Sequence, residues 1–329
     1  MACKLRLVLC YPVGERHRRK IAAVSPEIEV IDAGQEHIGK ELLSADLFCG
    51  HAKVPVPWDE VVATGRLRWI QSSAAGLDHC LVPSVIASPI PVTSASGLFA
   101  NQVAEQTLAL LLGLLRDLPA SLLQQQARSF DRHPTQDLFG RTVGIVGLGG
   151  NGRRLAEVLA PLVSRILATD VFPIDKPDCV DHLWPADQLK NLLSESDVVV
   201  LCVPLNAQTE GLIDAAALAT LKPGAILINV ARGPVVVESD LVAALASGRL
   251  AGAGLDVTEV EPLPATSPLW PLSNVIITPH IGAQSARRVD DTTDFFCQNL
   301  RRWLDGKPLY NLVDKRLGFP RRDAAEMPH

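Results

Sequence analysis

The run Gly147-Leu148-Gly149-Gly150-Asn151-Gly152 stands directly after the apolar segment Val143–Val146 and directly before the helix-like Arg153–Leu162. Glycines at that junction restrict what the chain can become. The first permits a tight turn, the second lets the backbone approach a bound group, and the third lets the following helix pack close to the strand. Amides at the start of a helix, at the positive end of its dipole, attract an anion, so the junction suits a pyrophosphate. Asp170 ends the next expected strand, Arg165–Asp170. A carboxylate there accepts hydrogen bonds from both hydroxyls of an adenosine ribose and repels a 2′-phosphate. No arginine stands in Val171–Asp175, so the expected cofactor is NAD rather than NADP. A glycine-rich surface turn beside an unrelated aspartate is the plainer alternative; strand, glycines, helix and acid in register argue against it.

The same alternation runs through most of the chain. Apolar strands are expected at Leu5–Cys10, Ile28–Ile31, Leu47–Cys49, Trp69–Gln71 and Val92–Thr93, with helices between several of them. A largely apolar helix, Asn101–Leu118, follows, and then a polar, irregular stretch, Pro119–Gly140. A second series comprises Val143–Gly147, Arg165–Asp170, Asp197–Cys202, Ala225–Val230, Gly252–Asp256 and Val275–Thr278. Ala283–Asp305 reads as a helix returning to the first unit, and Gly318–His329 as a polar tail. Strands that are apolar throughout, separated by helices, point to α/β architecture with parallel sheets covered on both faces.

Composition narrows the function. At 329 residues, 47% hydrophobic and 20% charged, the chain has enough apolar material for a large core and about two domains. The net charge of −5 comes without any block of like charge, which disfavours a nucleic acid or an anionic membrane as partner. Met1–Pro12 lacks the features of a secretory signal, and the longest apolar stretch, Leu108–Leu115, is too short to cross a bilayer. The cysteines, 7 in all, form no CxxC pair, and several lie in strand-like runs such as Val198–Val203. Reduced core thiols in a cytoplasmic protein are expected, and no metal site.

A second constellation lies at strand ends in the later series. Asn229-Val230-Ala231-Arg232-Gly233 closes one strand, Asp256 the next, Glu261-Pro262 follows it, and Thr278-Pro279-His280 closes the last. In an open α/β sheet the ligand crevice lies at the carboxyl ends of the strands. The types suit hydride transfer to a carbonyl: an arginine clamps a carboxylate with paired hydrogen bonds, a histidine protonates the oxygen, and a glutamate orients the ring and favours its cationic form. Taken singly, Arg232 also fits a structural ion pair and His280 an ordinary surface group.

With these residues in place, the sequence resembles the D-isomer-specific 2-hydroxy acid dehydrogenase family over nearly its whole length. The likeness rests on Thr142–Gly149, Asn229–Gly233, Gly254–Val257 with Glu261–Leu263, and Thr278–Gly282. It implies a Rossmann-type doubly wound cofactor domain, residues 101–290, inserted in a smaller flavodoxin-like α/β substrate domain, residues 1–100 and 291–329. It also implies closure on binding and a homodimer. By resemblance, Arg232 is the substrate clamp, His280 the proton donor and Glu261 its partner. The loop Ser73–Asp78 receives the substrate carboxylate on backbone amides, at Ala75 and Gly76. Cofactor contacts are implied at Gly147, Gly149, Gly150, Asn151, Gly152 and Asp170. Val203, Pro204 and Thr209 are implied in the loop beneath the cofactor, with Ala231 and Asp256 towards the nicotinamide.

Departures refine the expectation. Asn151 stands where the family usually has an apolar residue, and Gly150 loosens the same loop, which implies modest cofactor affinity. Ala75 occupies the place of a lysine in phosphite dehydrogenases, and Glu261 that of a glutamine in formate dehydrogenases. Both favour a carbonyl substrate. Substrate side-chain selection is expected around His51–Val54 and Ser72–Gly76, where Ala74 and Ala75 offer no charge. The expected activity is therefore NAD-dependent interconversion of a small 2-oxo acid and its D-2-hydroxy acid, of glyoxylate or hydroxypyruvate type. Alternatives are a phosphite- or formate-type dehydrogenase, and a nucleotide-sensing protein like the corepressors that share the fold.

Overall fold

The computed structural model describes residues 4–173 and 175–321. The chain divides into two compact units, one ending at Leu98 and resuming at Ser285, the other Phe99–Gln284. The first unit opens with β1 (Leu5–Cys10), α1 (Glu15–Ala22), β2 (Ile28–Asp32), α2 (Ile38–Glu41) and β3 (Leu47–Gly50). It continues with α3 (Trp58–Ala63), β4 (Trp69–Ser72), α4 (Pro83–Ala87) and β5 (Val92–Thr93). The second unit holds α5 (Ala100–Leu115), α6 (Leu118–Ala127), β6 (Thr142–Val146), α7 (Gly150–Leu159), β7 (Arg165–Asp170) and β8 (His182–Pro185). Then come α8 (Leu189–Glu195), β9 (Val198–Leu201), α9 (Ala215–Thr220), β10 (Ala225–Asn229), α10 (Glu238–Ala246), β11 (Leu250–Leu255) and β12 (Val275–Ile277). The chain re-enters the first unit through α11 (Arg288–Leu304) and a short antiparallel pair, β13 (Val313–Asp314) and β14 (Phe319–Pro320).

Both large sheets are parallel: a 5-stranded one ordered β2-β1-β3-β4-β5 and a 7-stranded one ordered β12-β11-β10-β9-β6-β7-β8. Burial on both faces explains why their strands are apolar throughout. Val198, Val200, Ile226 and Ile228 pack with Leu110 of α5 and Leu155 of α7, whereas Val199, Leu201 and Leu227 pack with Leu193, Leu218 and Leu241 of α8, α9 and α10. Burying each such side chain contributes about 1.5–3 kcal/mol, more than the weak strand preference of the glycines and alanines among them costs. Strand order reverses where β6 meets β9 and β7, the arrangement that leaves a crevice beyond the carboxyl ends.

Three expectations are corrected. The stretch after Leu118, expected to be irregular, begins with α6, started by a proline in its first turn; no residue of α6 is buried, so no apolar stripe announced it. The second series omitted the edge strand β8, whose burial pattern is only intermediate. Helix α7 starts at Gly150 rather than Arg153, because extended Gly149 caps it. The expected tail beyond Arg321, and Cys3, lie outside the described residues. Among the described residues no single helix is long and apolar enough to cross a membrane. The described cysteines are free, and burial pushes the thiols of Cys10 and Cys297 up to about 11 and that of Cys202 up to about 12.

In the first unit, α11 lays Phe296 against Trp69, ring centroids 5.5 Å apart, and Asn299 into a buried polar network. Asn299 donates to Gln71 Oε1 (2.9 Å) and Tyr310 O (3.1 Å) and accepts from Tyr310 N (2.8 Å). Trp69 Nε1 donates to Thr93 Oγ1, which donates to Gln71 Oε1, both at 2.8 Å. Gln71 Nε2 in turn donates to Ser72 O at 2.8 Å, beneath the loop that follows β4. An unmet buried donor or acceptor costs about 1–3 kcal/mol. Asn299→Ala is therefore expected to destabilise the first unit by about 3 kcal/mol, read as a lower urea midpoint; an unchanged midpoint would contradict the network's role.

Candidate active site

The turn after β6 is built as its glycines require. Gly147 adopts φ 95, a conformation that L side chains rarely adopt, and its N–H donates to Thr169 O at 2.9 Å. A Cβ on Gly152 would sit 2.1 Å from Gly147 O, so the helix approaches the strand end too closely for any other residue. At Gly149 the same construction meets nothing within 4 Å, which leaves open space at the N-terminus of α7. Asn151 is half-buried in the first turn and Gly150 exposed. The Asp170 carboxylate accepts Leu148 N–H at 2.7 Å through one oxygen and Phe172 N–H at 2.9 Å through the other. Each oxygen keeps a second lone pair for a ribose hydroxyl. These residues fit a dinucleotide: amides and a helix start for the pyrophosphate, and a carboxylate for the ribose.

The loop after β9 lies against this turn, since a Cβ on Gly147 would approach Val203 Cγ1 to 2.9 Å. Thr209, expected near the cofactor, donates from its hydroxyl to Pro204 O at 2.6 Å and accepts Asn206 N–H at 2.9 Å. Its side chain thus shapes the loop itself.

The later strand ends bring the charged residues together. Ala231 is buried, and its N–H donates to Asn229 Oδ1 at 3.0 Å; Asn229 Nδ2 donates to Arg232 O at 3.0 Å. That brace leaves Arg232 half-buried, with Nη1 donating to Ala231 O at 2.7 Å. His280 Nδ1 lies 2.7 Å from Glu261 Oε2, with side chains 46% and 38% exposed. A carboxylate only accepts, so Nδ1 carries a proton in this pair, and Nε2 is left as the atom that takes up or releases one. Partial burial pushes the Glu261 carboxyl up, but the hydrogen bond and charge of His280, the Thr258 amide and the Arg232 charge outweigh it and hold it below its ordinary value. Glu261 is therefore a carboxylate at neutral pH.

His280 itself sits at φ 52, a left-handed conformation costing a non-glycine residue about 1–2 kcal/mol. Its N–H donates to Asp256 O at 2.8 Å. Asp256, expected towards the nicotinamide, is 3% exposed and turned to this same segment. Its Oδ1 accepts Thr278 Oγ1 (2.6 Å) and Ile281 N (3.0 Å), and its Oδ2 accepts Gly282 N (2.7 Å). The sequence showed Asp256 and Thr278 only as neighbours of the chemistry; their pairing depends on β11 and β12 lying side by side.

In the first unit, Ser72 Oγ accepts Ala74 N–H at 3.1 Å, shaping the loop that leaves Ala75 exposed and Gly76 half-buried. His51, after β3, stacks on His79 with centroids 4.1 Å apart, a pairing not expected from sequence.

The model of the NAD binding domain of D-isomer specific 2-hydroxyacid dehydrogenases matches residues 108–282. The chain belongs to the D-isomer specific 2-hydroxyacid dehydrogenase family. This dehydrogenase is an NAD(P)-binding oxidoreductase with a Rossmann-type domain. It is 33% identical over 253 residues to human glyoxylate reductase/hydroxypyruvate reductase, across 75% of this chain and 77% of that protein. It is 32% identical over 312 residues to D-3-phosphoglycerate dehydrogenase of Mycobacterium tuberculosis, across 93% of this chain but only 58% of that one. A D-isomer specific 2-hydroxyacid dehydrogenase from Xanthobacter autotrophicus, solved with NADPH and MES, matches with TM-score 0.82 and 30% identity, covering 96% of this chain and 100% of that one.

The Gly152–Gly147 approach carries a direct test. Gly152→Ala must push α7 away from the turn, and the variant is expected to lose at least about tenfold in dinucleotide affinity by calorimetry. Unaltered affinity would remove the turn from the cofactor site.

Proposed function

We propose that this dehydrogenase reduces a small 2-oxo acid of the glyoxylate or hydroxypyruvate type to its D-2-hydroxy acid with NADH, and runs the reverse reaction with NAD. The observation that carries the reading is His280 Nδ1 held 2.7 Å from a charged Glu261 beside Arg232. When bound, the dihydronicotinamide supplies the hydride. Arg232 holds the substrate carboxylate. As negative charge develops on the carbonyl oxygen, His280 delivers the proton of Nε2, and Glu261 stabilises the ring's cationic form beforehand. A carbonyl acceptor needs that proton. Formate and phosphite oxidation do not protonate a carbonyl, and the hydrogen-bonded Glu261–His280 pair favours the 2-oxo acid.

Asp170 supports NAD over NADP, because a carboxylate fixed by two amides repels a 2′-phosphate. In this reading residues 101–290 form the cofactor domain, and residues 1–100 with 291–329 form the substrate domain. Free thiols, buried at Cys10, Cys49, Cys80 and Cys297, suit a reducing cytoplasm. Leu122, Leu123, Phe130 and Phe139 are 58%, 64%, 96% and 86% exposed, and apolar side chains left in water suit pairing of two copies into a homodimer, which sedimentation velocity resolves as dimer or monomer.

Loss of NADH absorbance should be followed against glyoxylate, hydroxypyruvate, pyruvate, phenylpyruvate and 2-ketogluconate. Turnover is expected with glyoxylate or hydroxypyruvate, with NADH preferred to NADPH; silence across the panel despite NADH binding would overturn the reading. Arg232→Ala is expected to cost about a hundredfold in kcat/KM, about 3 kcal/mol for a lost charge-assisted pair. Asp170→Ala is expected to weaken NADH and narrow the preference over NADPH. A wild type that prefers NADPH would refute the role given to Asp170.

A further inference from the structure

The structure assigns Gln106, on α5, as a positioning residue for His280, acting through the hydroxyl of Thr278 and the carboxylate of Asp256. Gln106 Nε2 donates to Thr278 Oγ1 at 2.8 Å, and Thr278 Oγ1 donates to Asp256 Oδ1 at 2.6 Å. The direction of this chain is determined by its ends. An ionised carboxylate accepts only and the amide nitrogen donates only, so the single hydroxyl proton is committed to Asp256 and the hydroxyl oxygen to Gln106. Thr278 cannot rotate to any other partner without breaking both bonds.

This chain bears on the proton donor because Asp256 holds the segment that presents it. The same carboxylate accepts the N–H groups of Ile281 and Gly282, immediately after His280. Its backbone carbonyl accepts the His280 N–H at 2.8 Å. The left-handed backbone of His280 (φ 52) persists only where its surroundings impose it. Gln106 therefore ties the longest helix of this unit to the one carboxylate that imposes it. The Gln106 amide nitrogen is engaged with Thr278, and its effect passes through hydrogen-bond direction and the placement of His280. The inference rests on His280 being the proton donor proposed above.

The test uses the full chain, with hydroxypyruvate as substrate and amide hydrogen exchange of the cofactor-free protein as an independent readout. Gln106→Met keeps the side-chain length and removes the donor; Thr278→Val keeps the shape and removes the hydroxyl. Each is expected to lower kcat about tenfold with KM and NADH affinity within about twofold of wild type, the signature of a misplaced acid. Each should also speed exchange in the peptide spanning Thr278–Gln284. The double variant should be no worse than either single one, because both act through one bond. Gln106→His, which keeps an N–H donor, should recover most of the activity. Wild-type kcat together with unchanged exchange in Gln106→Met, or losses that multiply in the double variant, would overturn the assignment. If exchange rises in Gln106→Met while His280→Ala turns over normally, the hydrogen-bond chain is supported and the proton-donor reading is the part that fails.

Discussion

Three hydrogen bonds to the buried carboxylate of Asp256 hold the segment on which the site depends. A carboxylate taken out of water costs several kcal/mol unless donors replace the solvent. Here the donors are Thr278 Oγ1 and the amides of Ile281 and Gly282, so the compensation comes from the segment that is being positioned. Stability of the charge and geometry of the site are thereby one requirement. His280 pays for its left-handed backbone out of the same set of bonds, and its ring reaches Glu261 as a result.

The sheet explains why these residues meet at all. All strands of the 7-stranded sheet run parallel, so every carboxyl end lies on one edge, and the chain returns between successive strands through crossover connections. Gly147 follows β6, Asp170 ends β7, Arg232 follows β10, Asp256 follows β11 and His280 follows β12. Far apart in sequence, they share an edge because β6 lies between β7 and β9 and the later strands add outward from β9. The apolar interior on both faces, such as Val199 with Leu193 and Val200 with Leu155, packs beneath that edge and supports the strands that end there.

Much of this was legible in the sequence because the decisive signals are local. A glycine turn between apolar strand and helix, an aspartate at the next strand end, and Arg232, Glu261 and His280 near strand ends are each visible within a few residues. What escaped depends on distant or featureless pairing. Helix α6 buries no side chain, so it carries no periodic stripe, and β8 is a half-buried edge strand. Asp256 was placed by its neighbours in sequence, whereas its orientation follows from β12 lying against β11. Gln106 and Thr278 pair across 172 positions, and neither shows its role until α5 packs beneath the sheet. Thr209 and the stacked His51 and His79 show the same limit at smaller range: residue type was visible, but the partner was not.

In the proposed reaction His280, held against Glu261, gives the proton to the substrate oxygen. The most direct measurement compares His280→Ala with wild type in single-turnover reduction of hydroxypyruvate by NADH, alongside NADH binding by fluorescence. The chemical rate is expected to fall about a hundredfold or more with NADH affinity nearly unchanged. An undiminished rate in the variant would contradict it.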